Sequence, residues 1–187
     1  MSEQTAVRVL PVLPLKNALL FPNLLMPLSV GRPSSLAAVE AALATEEKEI
    51  ILVAQKDPTV ESPGQDDLYT VGTKAIIRKV SRNETVTEVL VVGVERVIIL
   101  KIDQNGYLKA RISAFPLPED AGTEVEALTG AVLELAFKAI ELSNVQAPPE
   151  LRAFFTASNT NDPLRMVYLL ASILSLDLAK EQALLEA

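Results

Sequence analysis

The stretch from Leu10 to Arg32 constrains the fold more than any other part of this chain, because prolines interrupt its apolar runs at residues 11, 14, 22 and 27. Proline has no amide N–H to donate to a β-ladder, and its ring fixes φ, so it is confined to strand starts, edges and bulges. The short apolar runs between the prolines otherwise favour strands. We therefore predict edge or corner strands in this stretch.

Runs rich in β-branched residues follow and predict five further strands: 50–53, 71–80, 86–92, 97–102 and 107–112. Asn105-Gly106 predicts a type I′ hairpin turn, which requires positive φ at both central residues. A second hairpin is expected at Arg82-Asn83-Glu84, which is a better interpretation of Asn83-Glu84-Thr85 than a glycosylation site. One helix is predicted to begin near Pro33, with Leu36, Val39 and Leu43 along one face. Many short strands with proline-marked corners suggest a small closed or half-closed barrel.

The pattern becomes helical beyond a boundary near residues 116–122. Thr123 and Glu126 form a capping box, and an apolar stripe with helical spacing follows it, so that this helix is expected to be covered on more than one side. The stripe consists of Val125, Leu128, Val132, Leu135, Ala139 and Leu142, widened by Leu133, Phe137 and Ile140. Pro148-Pro149, Asp162-Pro163 and Asp177 mark the starts of three more helices. We predict a β-rich domain, 1–117, and a helical domain, 118–187.

Composition excludes several classes of function. Cysteine, histidine and tryptophan are absent, which removes Cys/His zinc sites, cysteine nucleophiles and imidazole-based triads. Gly72-Thr73-Lys74 has the wrong order for a phosphate-binding loop. Acidic clusters at Glu46 to Glu49 and at Asp66-Asp67 lack the spacing of a calcium loop and are interpreted as solvated loop charges. Nothing places a serine beside a desolvated lysine, so no nucleophile is assigned.

Charge and hydropathy limit the partners. The net charge is −7: acids and bases balance at 13 each up to Leu117, whereas 11 acids face 4 bases beyond it. A nucleic-acid binder needs a basic stripe, and neither part has one. The chain has no basic-then-apolar leader and no apolar run of the ~20 residues needed to cross a bilayer. We expect a cytoplasmic protein that binds neither nucleic acid nor membrane.

The densest apolar segment in a loop-like context is the candidate binding site. It contains Leu19, Leu20, Phe21, Leu24, Leu25 and Met26. One interpretation is plain core packing. The other is a partly exposed groove for unfolded polypeptide, since leucine and methionine surfaces adapt to varied partners.

Four segments in the same order resemble the N-terminal domain of the Lon family of ATP-dependent serine proteases. They are Leu10 to Arg32, Val53 to Asp57, Asp67 to Thr73 and Val91 to Arg96. The resemblance implies an α+β fold: a PUA-like six-stranded β pseudo-barrel with one inserted helix, followed by a small helical bundle. In the family a long helix, an ATPase module and a serine-lysine protease domain follow, which implies that residues 118–187 lead into a longer helix in the parent protein.

The resemblance also implies function. It predicts a non-catalytic domain that recruits unfolded, damaged or tagged protein substrates and supports assembly of the parent hexamer. ATP and magnesium would bind elsewhere in the parent, and this chain would need no cofactor. A stand-alone adaptor and a purely structural assembly element are the alternatives. Gly31, Gly72 and Gly93 are expected to serve tight backbone geometry, and Arg32 and Arg96 to anchor loops through backbone carbonyls.

Overall fold

The computed structural model describes residues 8–83, 86–116, 122–143, 162–174 and 176–187. They form six strands, one short 3-10 turn and four helices. The elements in chain order are β1 Arg8–Leu15, β2 Leu25–Val30, α1 Pro33–Leu43, β3 Glu49–Ala54, the 3-10 turn Gln65–Asp67, β4 Val71–Arg82, β5 Thr87–Asn105, β6 Tyr107–Ala114, α2 Thr123–Ser143, α3 Pro163–Leu174 and α4 Leu178–Glu186.

All six strands belong to one sheet, in the order β2-β5-β4-β3-β1-β6. β5 also pairs with β6, so the ladder of pairings returns to β5 and fits the predicted pseudo-barrel. β5 pairs with β2 through residues 87–92 and with β6 through residues 97–105. β5 is therefore one continuous strand, whereas the sequence pattern predicted two separate strands in this region. The predicted α+β class, with six strands and one inserted helix, is confirmed.

The prolines of β1 lie at positions that have a paired strand on one side only. β1 pairs with β6 through residues 8–11 and with β3 through residues 12–15, so each position has one partner strand. Pro11 and Pro14 can therefore lack an N–H without breaking a ladder on the other side. β2, which contains Pro27, pairs only with β5 among the described strands and is the predicted edge strand.

Alternate residues along the strands contribute their side chains to two different apolar clusters. On β3 the side chains of Ile50 and Leu52 join one cluster and those of Ile51 and Val53 join the other. Successive strand residues point to opposite faces, so a continuous apolar run supplies both clusters. The first cluster also contains Val39 of α1, as the helix pattern predicted.

The hairpin between β5 and β6 turns at Gly106, where φ is +80°. Asn105 is not among the residues with positive φ, so the predicted type I′ geometry is wrong although the position of the turn is correct. The hairpin between β4 and β5 is also at the predicted position, since the Asn83 amide donates to the Val86 carbonyl at 3.0 Å. Residues 84 and 85 lie outside the described residues.

The chain divides into two compact units. The β-rich unit contains the described residues up to Pro116 together with 176–187, and the helical unit contains those between 117 and 175. The predicted division placed all of 118–187 in the helical part, so the structure differs for α4. Arg96, 2% exposed, explains the difference, because it donates to the Leu185 carbonyl of α4 at 2.9 Å. Gln182 of α4 donates to the Val71 carbonyl at 3.0 Å.

In the helical unit α2 packs against α3 through Leu133 and Ala136, which contact the buried Met166 and Leu170. Four residues of the predicted stripe are instead exposed: Leu128 60%, Val132 38%, Leu135 65% and Leu142 86%. The expected coverage of α2 on more than one side is therefore not seen for this face within the described residues. The side chains at 137, 139 and 140 and the helix predicted after Pro149 lie outside what the structure describes.

Of the two helix starts with a predicted aspartate cap, one has the capping hydrogen bond and the other does not. Asp162 caps α3, because its Oδ1 accepts from the Arg165 amide at 3.0 Å. Asp177 precedes α4, but its side chain makes no capping hydrogen bond, and its carbonyl serves Lys180 and Glu181 instead. No helix in the described part of the chain is long and apolar enough to span a bilayer.

Candidate functional site

The candidate binding segment divides between core and surface. Leu19, Leu20 and Phe21 are at most 7% exposed, and Leu20 belongs to the first apolar cluster. Leu24 and Met26 are partly buried against that cluster, whereas Leu25 is 63% exposed. The core interpretation therefore describes most of this segment.

A glycine contact fixes this segment in place. An added Cβ at Gly93 would collide with the Phe21 carbonyl oxygen, and one at Gly72 would lie 2.7 Å from the Leu52 carbonyl oxygen. The Gly93 amide donates to the Leu24 carbonyl at 2.9 Å, and the Asn23 amide donates to the Gly93 carbonyl at 3.0 Å. The tight-geometry prediction is correct at Gly72 and Gly93. It is wrong at Gly31, where an added Cβ meets nothing within 4 Å.

The residues around Gly31 instead line a groove of about 400 Å³. The end of β1, the end of β2 and the first turn of α1 build it, and we call it the β1–α1 groove. Its apolar lining includes Leu13, Leu15, Leu28 and Val30. Its polar lining includes Lys16, Arg32 and Ser35. None of the six predicted binding residues lines this groove, although most of its lining belongs to the same proline-punctuated stretch.

Arg32 links the groove lining at Pro14 to Gln55 and Glu61, which lie outside that lining. It donates to the Pro14 carbonyl at 2.6 Å, to Oε1 of Gln55 at 2.8 Å and to the Glu61 carbonyl at 3.4 Å. Burial lowers the pKa of Arg32, an effect that the Glu61 carboxylate opposes. The guanidinium stays cationic, because an arginine side chain is protonated far above neutral pH. The predicted anchoring role is confirmed for Arg32, and for Arg96 through its bonds to Leu185 and Pro116.

Lys16 supplies a second cation at the groove. Its Nζ lies 2.6 Å from Oε1 of Glu61, whose side chain is 74% exposed. The Lys16 hydrogen bond, the Lys16 charge and the Arg32 charge together lower the pKa of Glu61. The groove edge thus favours a carboxylate.

The first turn of α1 at the groove is uncapped. Arg32 makes no side-chain capping bond, no acidic residue lies in the first turn, and Pro33 brings no amide proton. The first backbone bond runs from the Leu36 amide to the Arg32 carbonyl at 2.9 Å, so the helical pattern leaves the Ser34 and Ser35 amides without an intrahelical acceptor. Ser35 is 3% exposed, and its hydroxyl has no hydrogen-bond partner.

Comparison with known proteins identifies the family. The model of the ATP-dependent protease La (LON) substrate-binding domain matches residues 9–187. This chain belongs to the LON substrate-binding domain family. The Lon protease of Nitrosococcus oceani is 49% identical over 178 residues, and that of Escherichia coli K12 is 34% identical over 179 residues. Both matches cover 95% of this chain but only 23% and 22% of the relatives, so the chain spans less than a quarter of their length.

Solved structures support the fold of this LON domain. The N-terminal domain of Mycobacterium avium complex Lon protease matches with a TM-score of 0.72 at 20% identity, over 95% of this chain and 89% of that one. The Lon N-terminal domain protein from Xanthomonas campestris matches with a TM-score of 0.51 at 18% identity, over 88% and 98%. The predicted family is therefore confirmed.

Proposed function

We propose that this LON domain recruits unfolded or tagged polypeptides for an ATP-dependent serine protease and that the β1–α1 groove binds them. The groove carries the proposal. It offers an apolar lining from Leu13, Leu15 and Leu28 with polar groups at one end. Binding sites commonly pair an apolar lining with a few convergent polar groups.

The edge strand β2 supports the same role. Leu28 and Val30 of β2 line the groove, and the described strands pair with β2 only through β5. An extended polypeptide can add its backbone to an unpaired strand edge while its side chains enter adjacent pockets. Exposed Leu25 at the start of β2 adds apolar surface to that edge.

The domain itself acts without catalysis under this proposal. Within the described residues, no lysine amine is hydrogen-bonded to a serine hydroxyl. Thr73, in the segment closest to a phosphate loop, is 1% exposed and donates to the Leu20 carbonyl at 2.5 Å. Peptide hydrolysis and ATP hydrolysis are thus proposed to belong to other domains of the parent.

The test uses the whole chain and a permanently unfolded probe, carboxymethylated α-lactalbumin labelled with a fluorophore. Gly31→Phe places a ring in the groove, where an added Cβ meets nothing within 4 Å. Gly122→Phe is the matched control, because Gly122 also has open space but lies outside the groove. We expect Gly31→Phe to weaken binding at least about tenfold and Gly122→Phe to leave it unchanged. Equal affinities for the two variants would remove the groove from the proposal.

A second function, support of hexamer assembly, is favoured by the exposed stripe on α2. Leu128, Leu135 and Leu142 are each at least 60% exposed, and contiguous apolar surface of this kind marks interaction sites. In the full-length parent, Leu128→Glu with Leu135→Glu is expected to yield smaller oligomers in sedimentation. Gly122→Phe again serves as the control. Oligomers of unchanged size would leave the stripe without an assembly role.

A further inference from the structure

The first turn of α1 lacks the partners that helix starts normally have. Free amides and the helix dipole favour an anion at this position, which side-chain caps or acidic residues usually supply. At α1 neither is present. The first turn of α1 therefore has backbone donors with no side-chain cap and no acidic residue beside them.

Ser35 provides a second, independent observation at the same place. Buried hydroxyl groups in proteins nearly always have a hydrogen-bond partner, because an unpaired one costs free energy. Ser172 of α3 follows this rule by donating to the Leu169 carbonyl at 2.7 Å. Ser35 makes no such bond, although it is buried and lines the groove.

The charges at the groove favour an anionic ligand, and the apolar lining favours a ligand that also carries an apolar group. Lys16 and Arg32 line the groove, and the Glu61 carboxylate already pairs with Lys16 at 2.6 Å. Leu13, Leu15 and Val30 line the same cavity as Ser35, so an anion that is attached to an apolar residue fits it best. The last residue of a polypeptide meets both demands, since it carries an apolar side chain and a free carboxylate on one Cα.

We propose that the β1–α1 groove captures the C-terminal carboxylate of an apolar, unfolded polypeptide, with the Ser35 hydroxyl and the first amides of α1 as donors and Lys16 as the neighbouring cation. This inference rests on the proposed function and specifies which end of the polypeptide the groove takes. An incoming carboxylate competes with Glu61 for Lys16.

The experiment measures binding of N-terminally labelled ten-residue peptides of leucine, valine, alanine and serine to the whole chain. The same peptide is made as the free acid, as the C-terminal amide, and as an amide with one internal aspartate. We expect the free acid to bind about ten times more tightly than either amide, in line with charge-assisted bonds at a helix start. Ser35→Ala should reduce that ratio to about three or less while the melting temperature does not fall.

Glu61→Gln is expected to change the affinity for the free acid in the opposite direction to Ser35→Ala. Removing this competitor frees Lys16, so we expect the free acid to bind about threefold more tightly and the amide to be unaffected. An equal gain for both peptides would contradict the role of Lys16.

The remaining outcomes separate this inference from the proposed function. Equal affinities for acid and amide, with both lost in Gly31→Phe, would overturn carboxylate capture and leave the groove as a polypeptide site. If the internal aspartate restored binding of the amide, the chain terminus would be the wrong source. Displacement by inorganic phosphate at peptide-like concentrations would mean a site for a free anion and would also overturn the inference. If no peptide bound, the proposed function itself, and with it this inference, would be contradicted.

Discussion

The β-rich unit and the helical unit use their apolar residues in opposite ways. In the β-rich unit the strand residues fill two clusters, and buried Arg96 and Gln182 donate to backbone carbonyls. In the helical unit α2 buries a face centred on Leu133, whereas Leu135 and Leu142 are exposed. A helical apolar period therefore does not by itself prove burial within the chain, since it fits a contact with a partner equally well.

The largest expected effect tests how closely the β-rich unit is packed. In Gly93→Ala the new Cβ collides with backbone at Phe21, which cannot rotate away, so we expect a loss of about 3 kcal/mol in the free energy of unfolding. Gly31→Ala is the matched control and should change stability by no more than about 0.5 kcal/mol, because its Cβ enters open space. Urea unfolding of both variants provides the measurement. Similar losses for the two would mean that the contact at Phe21 does not limit this unit.

The next prediction concerns α4, which the β-rich unit holds through Arg96. Arg96→Met leaves the carbonyl acceptors of Leu185 and Pro116 without their donor and should cost about 2 kcal/mol. Amide hydrogen exchange should accelerate throughout 178–186 before it does in the strands. Arg78→Met, at an exposed position of β4, is the control and should leave α4 protected. Unchanged protection in the Arg96 variant would show that α4 is held by other contacts.

The same contrast explains how far the sequence predicts the fold. The hairpins β4–β5 and β5–β6 follow from β-branched runs and from Asn105-Gly106, because their paired strands are neighbours in the chain. The placement of α4 does not follow, since it depends on a hydrogen bond between residues 96 and 185. Nothing in a helical period near residue 180 specifies which unit covers the helix.

The proposed groove lies in the same proline-punctuated stretch as the six predicted binding residues but is lined by other side chains. Phe21 and its neighbours form the densest apolar segment, and dense apolar segments are usually buried. The groove arises where the ends of two strands meet the start of a helix, which depends on tertiary structure. One sequence signal was available: Arg32-Pro33-Ser34-Ser35 begins a helix with no acidic residue in its first turn. The unpaired hydroxyl of Ser35 has no counterpart in a sequence pattern.

A smaller difference in stability is expected between substitutions on the two faces of α2. Leu133→Ala removes contacts with the α3 cluster and, because Leu133 is only partly buried, should cost about 1.5 kcal/mol. Leu135→Ala, on the exposed face, should stay within about 0.5 kcal/mol. Urea unfolding followed by far-ultraviolet circular dichroism measures both. A larger loss for Leu135→Ala would mean that its face is covered and would remove the contrast between the units.

The smallest expected effect is electrostatic and tests the groove edge in the β-rich unit. The pKa of Glu61 is lower in the folded chain than its ordinary value of 4.5, chiefly through the Lys16 hydrogen bond. Folding therefore gains stability from the ionised carboxylate above about pH 4.5, and this gain is lost as the pH falls through the lower folded pKa.

Glu61→Gln should accordingly be less stable than the native chain at pH 7 and equally stable near pH 3. Glu47→Gln is the control for the loss of one carboxylate, because Glu47 is exposed and lies outside the ion pairs of the described residues. Urea titrations from pH 3 to pH 7 measure the difference, and 1 M salt should shrink it because screening weakens exposed charge pairs. A difference that grows as the pH falls would have the wrong sign for an ionised Glu61. It would leave the groove edge without the preference for carboxylates on which capture of a chain terminus depends.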